Sequence, residues 1–161
     1  MHRHPDNVSF ALTHPRGALV MSSTITADPI VRSGARWFWW IAGLSLVNVV
    51  MFYSGSNTSF VIGLAMTALV TVAFAGNLPV AIGLAGFTIA FYVVVGLYAQ
   101  RNKLSAFYLG LAVYVLDALI YVYFQDWMSV GFHGLAAFFI FKGMARAREL
   151  GRGSVEAAAG T

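Results

Sequence analysis

Residues 104–141 read LSAFYLGLAVYVLDALIYVYFQDWMSVGFHGLAAFFIF, and the reading of this stretch decides the fold. Two continuous apolar runs, Leu104 to Phe124 and Met128 to about Met144, are joined by the turn Gln125-Asp126-Trp127. Each run is close to the ~20 residues an α-helix needs to cross the hydrocarbon core of a bilayer. Neither shows the polar alternation of a membrane β-barrel, so helices are expected. Two ionisable residues, Asp117 and His133, interrupt the runs. A charge at bilayer depth costs about 3 kcal/mol even on the mildest scales, so each calls for a partner or a function.

The remainder of the chain extends this pattern. Hydrophobic residues make up 59% of the 161 and charged residues only 10%, with a mean hydropathy of +0.74. Such a composition would be odd for a soluble domain of this size, whose surface must still face water. Three further apolar stretches run from Trp37 to Tyr53, from Phe60 to Ala75 and from Pro79 to Ala99. Trp37-Phe38-Trp39-Trp40 beside Arg36 suits an interfacial aromatic belt. Ser54 to Ser59 reads as a turn, Gly76-Asn77-Leu78-Pro79 as a break and Gln100 to Lys103 as a charged loop. The expectation is an all-α polytopic membrane protein with five transmembrane helices in a domain over residues 35–145. The alternative keeps four crossings and makes residues 60–75 re-entrant. Residues 1–34 are polar, lack an apolar period and are expected to be disordered. Residues 146–161 form a basic, then small-residue tail, with disorder expected at its end. Met21-Ser22-Ser23 offers a second possible start, and Phe10–Leu12 and Ala18–Met21 are too short for a secretory h-region.

Charge sets the orientation. With five crossings and a cytoplasmic C-terminus, Arg101, Lys103, Lys142, Arg146, Arg148 and Arg152 lie inside, against Arg32 and Arg36 outside. The positive-inside rule favours this over its reverse, in a bacterial cytoplasmic membrane. The two outer arginines conflict with the rule, and the four-crossing alternative removes the conflict. The sequence pI near 9.7 therefore points to topology signals and anionic-lipid contacts rather than to nucleic acid.

Ser59, Gly63, Thr67, Thr71 and Ala75 recur at every fourth position of the second stretch. Such a ridge lets another helix backbone approach closely, within the chain, in a second copy or in a partner membrane protein. A second, weaker set of small residues includes Ala81, Ala85, Gly86 and Ala90. Asn48 in the first stretch is positioned to hydrogen-bond across a helix interface. Asp117 and His133 lie roughly 11–13 Å from the centre of the turn between their helices, at 1.5 Å per residue. Equal depth in an antiparallel hairpin makes them expected neighbours. Tyr114 and Tyr121, at i−3 and i+4 from Asp117, share its face and offer phenolic hydrogen bonds.

Catalytic patterns are sparse. The chain has no cysteine, which excludes disulfides, thiolate metal sites and a Cys nucleophile. Walker A, His-Glu-x-x-His and Gly-x-Gly-x-x-Gly motifs are missing. Ser54, Ser56 and His133 invite comparison with the rhomboid proteases, but Tyr53-Ser54-Gly55-Ser56-Asn57 lacks their Gly-x-Ser-Gly. A bis-His haem needs two membrane imidazoles, and His133 is alone in the apolar stretches. His2, His4 and His14 resemble a metal tract in an aperiodic segment, and neither metal nor cofactor is expected. The expectation is a non-enzymatic membrane protein acting through helix packing with itself or a partner. The alternative is a small proton-coupled transporter or channel built on Asp117 and His133. Asp117→Asn, nearly isosteric, is expected to spare the first and abolish the second.

Overall fold

The computed structural model describes residues 28–55 and 63–160. Five α-helices account for nearly all of them: α1 (Pro29–Tyr53), α2 (Ala65–Ala73), α3 (Leu78–Gln100), α4 (Leu104–Tyr123) and α5 (Trp127–Ala159).

Local chemistry explains the boundaries. Asp28 caps α1 by accepting from the Ile30 N–H at 2.9 Å, and Pro29 fills the first turn where its missing N–H is harmless. The helix therefore starts eight residues ahead of Trp37, and residues 29–34 are ordered where disorder was expected. Asn77 caps α3, with Pro79 in its first turn. Asn102 and Gln125 take left-handed backbone angles, φ 57° and 56°, in the two tight turns flanking α4. Asp126 opens α5 by accepting from the Ser129 hydroxyl at 2.6 Å and its N–H at 3.3 Å. These bonds hold its carboxyl below the usual carboxylate range. At the other end α5 continues to Ala159 instead of fraying into a disordered tail. Arg146 bonds Glu149 one turn on at 3.1 Å, Arg152 and Glu156 are spaced at i, i+4, and Ala157 to Ala159 are strong helix formers.

Four helices, α1, α3, α4 and α5, are long and apolar enough to span a membrane. The second apolar stretch is the exception and corrects the five-crossing expectation. α2 has nine residues, about 13.5 Å at 1.5 Å per residue, less than half of a ~30 Å hydrocarbon core. Gly63 and Leu64 ahead of it are not helical.

The long helices pack as antiparallel neighbours, α1 lying against both α3 and α5 and α4 against α5. α1 and α5 almost touch through their backbones. A Cβ added at Gly34 would lie 2.7 Å from the Gly143 Cα. One turn further out the Asp28 carboxylate accepts from Arg146 Nε at 2.9 Å. This contact places the start of α1 and the outer half of α5 at one end of the bundle, where the five-crossing reading had put them on opposite sides. Phe38, fully buried, fills the centre at that end, its ring 6.1 Å from that of Phe107 and 6.3 Å from that of Tyr92. Gly110 makes room for it, since a Cβ there would lie 2.6 Å from the Phe38 ring. Leu97, Leu109, Leu116, Leu119 and Phe138 face outward and exposed, as suits helices solvated by lipid.

Candidate functional site

The site is assembled around the first residues of α2. A helix start leaves its leading N–H groups without intrahelical partners, and in an apolar interior each one left unpaired costs about 1–3 kcal/mol. Here three are taken up by side chains from other helices. The Leu64 N–H donates to Ser45 Oγ of α1 at 3.0 Å. The Ala65 N–H donates to Asp117 Oδ2 at 2.9 Å, and the Met66 N–H to Oδ1 at 2.8 Å. Asp117, on α4, thus caps a helix 52 residues away in sequence. The positive end of the α2 dipole faces the carboxylate as well. Thr67 and Thr71 turn their hydroxyls back onto the Leu64 and Thr67 carbonyls, both at 2.7 Å. Tyr121 donates its hydroxyl to the Gly63 carbonyl at 2.9 Å.

His133 completes the group from α5. Its Nε2 lies 3.1 Å from Asp117 Oδ2, and both residues are buried, at 2% and 5% exposure. Its Nδ1 lies 2.9 Å from the Ser129 carbonyl oxygen. A carbonyl only accepts, so Nδ1 carries a hydrogen. One more proton must then lie between Nε2 and Oδ2, because two bare acceptors would repel. Whichever atom holds it, the pair is neutral as a whole, which removes most of the cost of a lone charge at depth. Two backbone N–H groups and the shared His133 proton thus converge on the Asp117 carboxyl group. Tyr114 is stacked on the imidazole at 4.5 Å and 15°, whereas the Tyr121 ring, at 5.0 Å, is tilted to it by 53°. Tyr92 meets Tyr114 edge-on at 6.3 Å, and its buried hydroxyl has no hydrogen-bond partner among the described residues.

The structure thus brings Asp117, His133, Tyr114 and Tyr121 into one cluster. The small-residue ridge is split. Gly63, Thr67 and Thr71 are buried inside the chain against neighbouring helices, Ala75 is exposed and Ser59 lies outside the described residues. The buried part of the ridge is therefore committed to the chain's own fold. Asn48 presses its amide against Gly63, where even a methyl group would collide with it. Ala81 and Ala85 are buried, while Gly86 and Ala90 face outward. Ser45 and the two backbone amides of α2 were not singled out from the sequence. Ser45 sits three residues before Asn48 in an otherwise apolar run, which is the one trace that pointed to it. The histidine tract of residues 2–14 also lies outside the described residues, and among those described no three His, Cys, Asp or Glu side chains group as metal ligands.

No protein-family model matches the chain, and no curated protein or solved structure matches it.

Proposed function

We propose that this chain is a non-enzymatic integral membrane protein with four crossings and a re-entrant half-helix, and that Asp117 and His133 pin the half-helix in place. The observation that carries this reading is the Asp117 carboxylate. Both of its oxygens accept from backbone N–H groups of α2, and one also faces His133. A carboxylate so engaged is tied to the fold.

Depth and charge support the topology. Ser45 lies eight residues before the end of α1, Asp117 six before the end of α4 and His133 six after the start of α5. These offsets correspond to about 9–12 Å at 1.5 Å per residue. The nine residues of α2 cover about the same distance, so a helix that starts at that depth reaches back to the end where α1 stops. All eight Lys and Arg among the described residues then belong to the opposite end, which is cytoplasmic by the positive-inside rule. Arg32 and Arg36 no longer conflict with the others. With its ridge turned inward, the protein would meet a second copy or a partner through its outward apolar faces.

A proton-coupled transporter or channel is the second reading, favoured by the single proton held between His133 Nε2 and Asp117 Oδ2. Half-helices whose N-termini end within the bilayer line ion and substrate sites in transporters. The discriminating experiment places wild type and Asp117→Asn in liposomes with an imposed pH gradient and a pH-sensitive dye inside. The pinned-helix reading expects no Asp117-dependent proton flux from either. Flux in wild type that vanishes in a folded Asp117→Asn protein would replace it with the transporter.

A further inference from the structure

The basic end of α1 carries a feature unconnected to the Asp117 cluster. Ser33, Arg36, Trp37, Trp40 and Leu44 of α1, with Phe132 of α5, line an open groove of about 360 Å³. The five α1 positions follow helical spacing and form one stripe along the outer surface. Arg36 is the only charged residue in the lining, and it pairs with no carboxylate among the described residues. The Trp37 ring is fixed by stacking on Phe139 at 5.1 Å and 8°, which gives the groove a rigid wall.

We propose that this groove binds one phospholipid with an anionic headgroup. Its phosphate lies against Arg36 and the Ser33 hydroxyl, and an acyl chain runs along Trp37, Trp40, Leu44 and Phe132. Three arguments carry the assignment. The unpaired guanidinium at the headgroup end complements a phosphate and offers it a two-pronged donor. The rest of the lining is apolar and aromatic, as an acyl chain requires. From Ser33 to Leu44 the groove extends about 16.5 Å at 1.5 Å per residue, close to half of a ~30 Å hydrocarbon core and thus to one leaflet. Basic pockets between helices on the cytoplasmic side are a recurrent form of anionic-lipid site. The inference rests on the membrane topology proposed above.

The test uses tryptophan fluorescence of the full chain carrying Trp39→Phe and Trp127→Phe, so that only Trp37 and Trp40 report. The protein is placed in phosphatidylcholine vesicles containing a minor share of phosphatidylglycerol with brominated, quenching acyl chains. Quenching well above that lipid's share of the bilayer is expected, and Arg36→Gln should weaken the apparent affinity by at least about tenfold, the loss of one charge-assisted contact. Leu44→Trp, which fills the deep end and leaves Arg36 in place, should also displace the lipid, read as phosphatidylglycerol retained on the protein by native mass spectrometry. Arg101→Gln, at the same end but away from the groove, should change nothing. Equal quenching by brominated phosphatidylcholine, or undiminished preference in Arg36→Gln, would overturn the lipid site while leaving the topology standing. No quenching by either lipid would overturn the membrane topology and the site together.

Discussion

Asp117→Ala should be among the most damaging single substitutions in this protein, and more damaging than His133→Ala. The carboxylate accepts from the Ala65 and Met66 N–H groups and faces His133 Nε2. Removing it strands two backbone donors and a ring nitrogen in an apolar interior. At about 1–3 kcal/mol per stranded group the loss is at least about 3 kcal/mol, in line with the cost of breaking a buried ion pair. His133→Ala leaves the carboxylate with both amides, so its cost is smaller and lies mainly in the uncompensated charge and the lost stacking on Tyr114. Asp117→Asn falls between them. Its amide oxygen keeps one N–H, but its NH2 must face the other, at a cost of about 1–3 kcal/mol. The near-isosteric change is therefore not silent for the fold, as its shape alone had suggested. The double Asp117→Ala/His133→Ala variant should stay close to Asp117→Ala, because deleting His133 removes the stranded ring nitrogen but also its stacking on Tyr114, and does nothing for the two stranded amides. Thermal unfolding in a mild detergent, with hydrogen exchange at the α2 amides, measures all four. Equal losses for the two single variants, or strictly additive losses in the cycle, would refute the reasoning.

Tyr92→Phe should be neutral or raise the melting temperature, since its buried hydroxyl has no partner among the described residues, whereas Tyr121→Phe, which breaks the bond to the Gly63 carbonyl, should lose about 1 kcal/mol in the same assay. Gly34→Leu and Gly143→Leu should each prevent α1 from seating on α5, because even a methyl group at either position meets backbone under 3 Å away. Gly43→Leu, where nothing lies within 4 Å of an added Cβ, should leave the yield of folded protein unchanged. Burial alone would raise the Asp28 carboxyl, but the Arg146 guanidinium and the Ile30 N–H outweigh it and hold it below its usual value. The Asp28–Arg146 contact is thus fully present above the ordinary carboxylate range and fades as pH falls through the depressed value, so Asp28→Asn should flatten the acid limb of a melting-temperature profile below about pH 4. Reporter fusions at residue 30, after Lys103 and after Arg152 should all read cytoplasmic, and an external signal at residue 30 would restore the five-crossing topology.

What the sequence made legible follows from which forces act locally. Apolar length and turn composition mark the four long helices, because crossing a bilayer imposes a minimum run of apolar residues. The Asp117–His133 pairing could be read from equal distances to one short turn. The start of α1 was legible too, in Asp28-Pro29, but hydropathy drew attention to Trp37 and hid the capping signal. The half-helix was harder. Phe60 to Ala75 carries no proline or charge to show where a helix begins, since the residue that caps it sits on α4, 52 positions away. A cap supplied in trans leaves no mark in its own segment. The small-residue ridge was visible for the same reason that its use was not: periodicity shows that a helix face packs closely, and only tertiary contacts show against what.

The composition of the cluster follows from the problem it solves. A helix that begins inside an apolar bundle exposes N–H groups that water cannot reach, and every one must be met by protein. Ser45 meets the first, and a carboxylate is the compact group able to meet two adjacent ones with its two oxygens. That carboxyl group must also be neutral together with its surroundings at such depth, which calls for a neighbour that shares a proton with it. A lysine would demand acceptors for three N–H groups, while histidine at His133 presents two ring nitrogens, one for Asp117 and one for the Ser129 carbonyl one turn back on its own helix. The flat imidazole also offers a face on which Tyr114 stacks, with the tilted Tyr121 ring beside it. Each residue thus answers a need created by the one before it, beginning from the break ahead of Ala65. The order of dependence gives the order of expected damage: substitutions nearest the α2 amides should unfasten the half-helix, and those at the tyrosine rim should only loosen it.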